Sequence, residues 1–136
     1  MLSRTNSAPI APSRLWAGRI LTALPVLFLV FDGAIKLRRP APVAEAFAHL
    51  GLPLTLASTL GIIELLCTVL YAIPRTSLLG AILLTGYLGG AVATHLRIGD
   101  PLFSHILFPT YVGLLVWAGL FLRERRLQPL VPLRTT

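Results

Sequence analysis

Four apolar runs, each about as long as a bilayer-crossing helix, leave this chain few folds to choose from. They cover residues 15–36, 54–73, 77–98 and 103–122. The hydrocarbon core of a membrane takes about 20 residues of helix. Inside lipid, every backbone N–H and C=O must find its partner within the segment, so these runs are read as helices. Helices of this length in a soluble core would show a polar face, and these do not. The totals agree: of 136 residues, 55% are hydrophobic and only 12% charged, with a mean hydropathy of +0.80. That is the composition of an integral membrane protein. The fold class expected is all-α, an integral membrane four-helix bundle.

The segments between the runs set its topology. "IPRT" (73–76) is a tight turn in which proline ends one helix and Thr76 or Ser77 can cap the next. "GDP" (99–101) is another. The first loop, 38–53, is longer. Pro42 can start a short helix there and Gly51 can end it, with Val43, Phe47 and Leu50 on one side. This reads as an amphipathic helix lying at the membrane surface, its His49 solvated. Residues 1–13 read as a Ser/Pro/Ala-rich disordered tail, 14–126 as the transmembrane domain and 127–136 as a C-terminal tail. The first run is long and no small-x-small site follows it, so it reads as an uncleaved span rather than a signal peptide.

The net charge of +7 comes from 12 basic residues against five acidic ones. The basic residues stand at the ends of apolar runs, which speaks for membrane orientation rather than nucleic acid. Arg4, Arg14, Arg19, Arg75, Arg123, Arg125, Arg126 and Arg134 fall on the side of the termini; Lys36, Arg38, Arg39 and Arg97 fall on the other. This bias places both termini in the cytoplasm, with the chain in a bacterial inner membrane. Trp16, Tyr71, Tyr111 and Trp117 stand toward helix ends and suit interfacial belts. Gly86 and Gly90 form a Gly-x-x-x-Gly pair that lets helices approach, within one bundle or between copies of a homo-oligomer. Cys67 alone cannot form an intramolecular disulfide, which excludes dithiol chemistry within the chain.

Charged groups in a membrane helix are costly and point to function. With alternating helix directions, Asp32, Lys36, His95, Arg97 and His105 fall in one half of the bundle. Glu64 lies roughly 15 Å deep at 1.5 Å per residue. Ala57, Gly61, Glu64, Thr68 and Tyr71 form one small and polar stripe at helical spacing. Asp32 and Lys36, four apart, can pair. His95 and His105 stand five residues either side of Asp100, so they sit at matched depth on adjacent helices. The candidate site is therefore a polar pocket in the outer half. Glu64, His95 and His105 are its candidate proton-transfer groups, and Asp32, Lys36, Thr94 and Arg97 line it. A carboxyl beside histidines can relay protons. Two histidines can also ligate haem, but such sites usually lie deeper and need a cavity. A zinc site of His95, His105 and Asp100 or Glu64 matches no strong motif, so no metal is expected.

The stretches "GRILTALPVLFLVFDGAIKL", "LGIIELLCTVLYAIPRTSLLGAILLTGYLGGAVATHLR" and "PLFSHILFPTYVGLLVWAGLFLRERRLQPLVPLR" resemble the DoxX-like family of small bacterial membrane proteins. The resemblance implies a four-helix membrane bundle. It puts Asp32, Lys36, Glu64, Thr94, His95 and His105 in the family's most characteristic segments. The family takes its name from a subunit of a thiosulfate:quinone oxidoreductase. The function implied is a membrane subunit or accessory protein of a quinone-linked redox system, with a quinone as ligand, the bilayer as surroundings and a soluble oxidoreductase as partner. Some distant four-helix relatives support disulfide chemistry, but the cysteine pair for that is missing here. The alternative is a non-enzymatic anchor, chaperone or assembly factor; four spans are few for a transporter, which would require oligomers, and there is no sign of repeats with broken helices.

Overall fold

The computed structural model describes residues 9–130. Arg4 and Arg134 lie outside it, as do most of the expected tails. Helix α1 spans Pro12–Arg38, α2 Ala41–His49, α3 Thr55–Ala72, α4 Ser77–Ile98 and α5 Phe108–Arg123. A π-helical turn, Leu102–Ile106, precedes α5, and a 3-10 segment, Arg125–Leu130, follows it. Four helical stretches are long and apolar enough to cross a membrane: Pro12–Arg38, Thr55–Ala72, Ser77–Ile98 and Leu102–Arg123. The protein is an all-α, multi-pass membrane bundle.

The four spans form a ring in which α1 packs on α3 and α5, and α4 closes the circle between them. Leu29, Tyr71, Leu84, Val116 and Leu120 meet at its centre. The outside is as greasy as the inside: Leu27, Phe31 and Phe103 are 69%, 66% and 74% exposed. In water such a surface would aggregate. In lipid it is matched to its solvent, so close packing and internal hydrogen bonds hold the bundle rather than burial of apolar area.

Glycines supply that closeness at particular crossings. A Cβ on Gly61 would lie 2.8 Å from the Gly33 carbonyl, bringing α3 against α1. One on Gly80 would strike the backbone of Tyr71 at 2.2 Å, and one on Gly119 would strike Thr22 at 2.6 Å. The Gly86, Gly89 and Gly90 face does something else. A Cβ at any of the three meets nothing within 4 Å, so this surface of α4 faces outward and takes no part in the bundle's own contacts.

Several local details differ from the sequence reading. Neither Thr76 nor Ser77 caps α4. Their hydroxyls donate backward, Thr76 to Leu70 O at 2.8 Å and Ser77 to Pro74 O at 3.1 Å, satisfying carbonyls at and just beyond the end of α3. Tyr71 is no interfacial anchor. It is fully buried, its hydroxyl donating to Val116 O at 2.7 Å. The fourth span is not one continuous α-helix. Its first turn is π-helical, with Ile106 N–H donating to Pro101 O and Leu107 N–H to Leu102 O. Pro109, at the start of α5, has no N–H to carry a ladder across this point. Glycine at 99, with φ 71°, takes the left-handed position that ends α4.

Candidate functional site

Helix α3 turns its small and polar stripe wholly inward: Ala57, Gly61, Glu64, Thr68 and Tyr71 are all buried. Absence of a side chain at Gly61 and Gly33 lets α1 lie close, with Lys36 Cβ 3.1 Å from where a Gly61 Cβ would stand. That approach delivers the Lys36 ammonium to Glu64. Lys36 Nζ lies 2.5 Å from Asp32 Oδ2, 2.7 Å from Glu64 Oε2 and 3.0 Å from Tyr87 Oη. An ammonium has three protons, and each of these has an acceptor. Tyr87, from α4, donates its own proton to Glu64 Oε2 at 2.9 Å. Three helices thus converge on one lysine.

The accounts of this cluster do not close on Glu64. Its side chain is 0% exposed, Oε2 accepts two hydrogen bonds, and Oε1 accepts none. Two carboxylates, Asp32 and Glu64, face one ammonium. Asp32, with its side chain 34% exposed, is the cluster's opening to the surroundings.

A second polar group stands at the end of the bundle where α1 and α4 finish. The Asp100 carboxylate is almost buried and held from two sides, by His95 Nδ1 at 2.5 Å and His49 Nε2 at 2.7 Å. These hydrogen bonds, the His95 one foremost, hold the Asp100 carboxyl below its ordinary range. His105 rests edge-on against His95, with ring centroids 5.9 Å apart, and its Nδ1 lies 2.8 Å from Ser104 Oγ. Arg97 donates to the carbonyl of Leu50 at the end of α2. Thr94 turns back to Gly90 O at 2.8 Å.

The residues expected to share one pocket therefore gather in two groups. Asp32, Lys36 and Glu64 belong to the first. His95 and His105 belong to the second, with Arg97 tying α2 beside it, and Thr94 bonds only within its own helix. Glu64 finds its partners in Lys36 and Tyr87, not in the histidines. Two contributors escaped sequence reasoning. Tyr87 stands in an apolar run, where nothing in the sequence marks it out. His49 is 63% exposed in its side chain, as a solvated histidine should be, yet it grips Asp100. The signal for His49 was available: an amphipathic helix ending in histidine, in a loop on the same side as Asp100.

Among the described residues no three His, Cys, Asp or Glu side chains converge to hold a metal ion.

Comparison with known proteins adds the following. A family model described as the DoxX-like family matches residues 20–119. The chain is also similar to heme exporter protein B of Paracoccus denitrificans (strain Pd 1222), with 33% identity over 135 residues. That match covers 81% of this chain and 59% of the relative, so the chain spans less than two thirds of that protein's length. No solved structure matches.

Proposed function

The chain belongs to the DoxX-like family, and from that premise we propose that it serves as a membrane subunit or accessory protein of a quinone-linked redox system, the Lys36 cluster being the site that handles a proton. The observation that carries this reading is the unpartnered Glu64 Oε1, buried beside a lysine whose three protons are all committed. A buried carboxyl oxygen without a donor is costly. A proton on Oε1, or the hydroxyl of a bound quinol, relieves that cost. A quinone carbonyl takes a hydrogen bond from Lys36 or Tyr87 by replacing one of their present acceptors, and Asp32 is the exit for the proton. A bound quinone would supply the electron transfer to a soluble oxidoreductase partner. His95 and His105, at the outer end, exchange protons with the surrounding water. In this reading the chain lies in a bacterial inner membrane with both termini in the cytoplasm.

The test uses the whole protein in nanodiscs, titrated with ubiquinone and menaquinone analogues. Wild type is expected to bind one of them, and Glu64→Gln to lose that binding while keeping its melting temperature within a few degrees. No binding by wild type, or equal binding by the variant, sinks the proposal.

A specific observation favours a second reading, that of a non-enzymatic anchor or assembly factor. The open Gly86, Gly89 and Gly90 face flanks a cleft of about 250 Å³ between α4 and α5, lined by Leu88, Val92, Gly113 and Trp117 among others. Such a face suits another transmembrane helix, whether a partner's or a second copy's. A complex recovered from native membranes, intact in Glu64→Gln and lost in Gly86→Leu, would support this reading over the first.

A further inference from the structure

At the opposite end of the bundle from Asp100, hydrogen-bond donors collect without acceptors. Four buried side-chain polar atoms among the described residues lack a partner. One is Glu64 Oε1; the other three are Arg14 Nε, Arg123 Nε and Gln128 Nε2, all at this end. A cleft of about 390 Å³ opens here between the start of α1 and the 3-10 segment. Arg14, Arg125 and Gln128 line it, with Pro9, Ile10, Ala11 and Pro129. None of these is acidic. The one carboxylate close by in sequence, Glu124, is turned to the backbone N–H of Arg126 at 3.2 Å.

Backbone geometry adds to the positive field. The 27-residue α1 begins at this cleft with no side-chain cap and no acidic residue in its first turn. Its positive dipole end is therefore uncompensated. The contacts of the Arg14 and Arg123 guanidiniums orient rather than neutralise. Arg14 lies over the Phe121 ring at 5.9 Å, and Arg123 donates to Tyr71 O at 3.2 Å. The depth is that of lipid headgroups, since α1 starts and α5 ends here. Trp16, 62% exposed with the Arg19 guanidinium 5.5 Å over its ring, marks the same interface.

We propose that this cleft binds the phosphate of an anionic phospholipid headgroup. Arg14 Nε and the Gln128 amide donate to the phosphate oxygens, and the start of α1 faces its charge. The apolar prolines and Ile10 fit against the glycerol and first methylenes. The site is independent of the Lys36 cluster and stands whether or not that cluster handles a proton.

The experiment measures lipid retention by native mass spectrometry on the full chain in detergent, and repeats it in nanodiscs. Phosphatidylglycerol, phosphatidylcholine and inorganic phosphate are the three probes. Wild type is expected to retain phosphatidylglycerol over phosphatidylcholine. Arg14→Gln and Gln128→Leu should each weaken that retention by about tenfold, the scale of one hydrogen bond to a charged group. Arg38→Gln, at the other end, should leave it unchanged. Gln128→Leu keeps the test decisive if Arg14→Gln fails to fold. Equal retention in Gln128→Leu and wild type overturns the proposal. So does equal retention of the two lipids, or displacement of phosphatidylglycerol by inorganic phosphate at millimolar concentration, which would assign the cleft to a soluble phosphate.

Discussion

Lys36 is the residue on which most of the polar interior depends. Its ammonium is the only cation in contact with buried Glu64 among the described residues. Lys36→Met would strand that carboxyl, and removing one partner of a buried pair typically costs about 3–5 kcal/mol. We expect the variant to accumulate poorly and to melt well below wild type in detergent. Lys36→Met combined with Glu64→Gln should regain most of the loss, because the fully buried carboxylate is then gone and only the partly exposed Asp32 is left without its cation. A double variant as unstable as Lys36→Met would place the role of Lys36 in packing instead. Much at this scale was legible beforehand. The i,i+4 spacing pairs Asp32 with Lys36 on a helix, and the recurrence at three and four singles out Glu64. The Lys36–Glu64 bond was not, because it joins residues 28 apart. Only the close approach of Gly33 to Gly61 brings them together, and periodicity within one helix says nothing about which neighbour it meets.

Among the elements, α2 is the one held by polar bonds at its end. Val43 and Phe47 seat it on Ala57, with Ile35 and Leu60 alongside, as an amphipathic pattern requires. Its far end is fastened by His49 to Asp100 and by Leu50 O to Arg97. The sign of the pH dependence follows from Asp100, whose carboxyl is held below its ordinary value of 3.8 by His95 and His49. A lowered folded value contributes stability above the unfolded value and loses it as pH falls through the folded one. The Asp100 contribution to the α2 attachment should therefore be fully present above the ordinary carboxylate range and be lost below it. Hydrogen exchange of the α2 amides against pH checks this. Asp100→Asn should show faster exchange at neutral pH and no further acid loosening; unchanged protection would remove Asp100 from the role. The amphipathic pattern made α2 readable, as hydropathy did the four spans. The π-helical turn before α5 was not readable, since Pro101 and Pro109 mark a break without saying how the backbone between them turns.

For the whole molecule, orientation remains the property most open to direct measurement. Of the 12 basic residues, the sequence reading assigns eight to the side of the termini and four to the other. A C-terminal fluorescent-protein fusion should therefore be bright and an alkaline phosphatase fusion inactive; the reverse result would place the Asp100 end in the cytoplasm and invert the topology. Bundle architecture was legible because lipid tolerates so few alternatives. The use of the glycines was not, since Gly80 and Gly86 look alike in sequence yet one abuts Tyr71 and the other faces out. The two ends of the ring are also fastened differently. Toward the termini, fully buried Tyr71 bonds to Val116 O, and glycine contacts at 80 and 119 lock backbone to backbone. Toward Asp100, the Gly33–Gly61 crossing is joined by side-chain carboxylates gripped by lysine and histidine. The bundle is built like a clothes peg, with a stiff spring at one end and jaws at the other. Breathing motion is expected in the jaws, and faster amide exchange at the Asp100 end than at the Tyr71 end would show it. Acidity and salt act on those ionic grips and leave the spring alone, so the conditions outside the jaws set how far the peg opens.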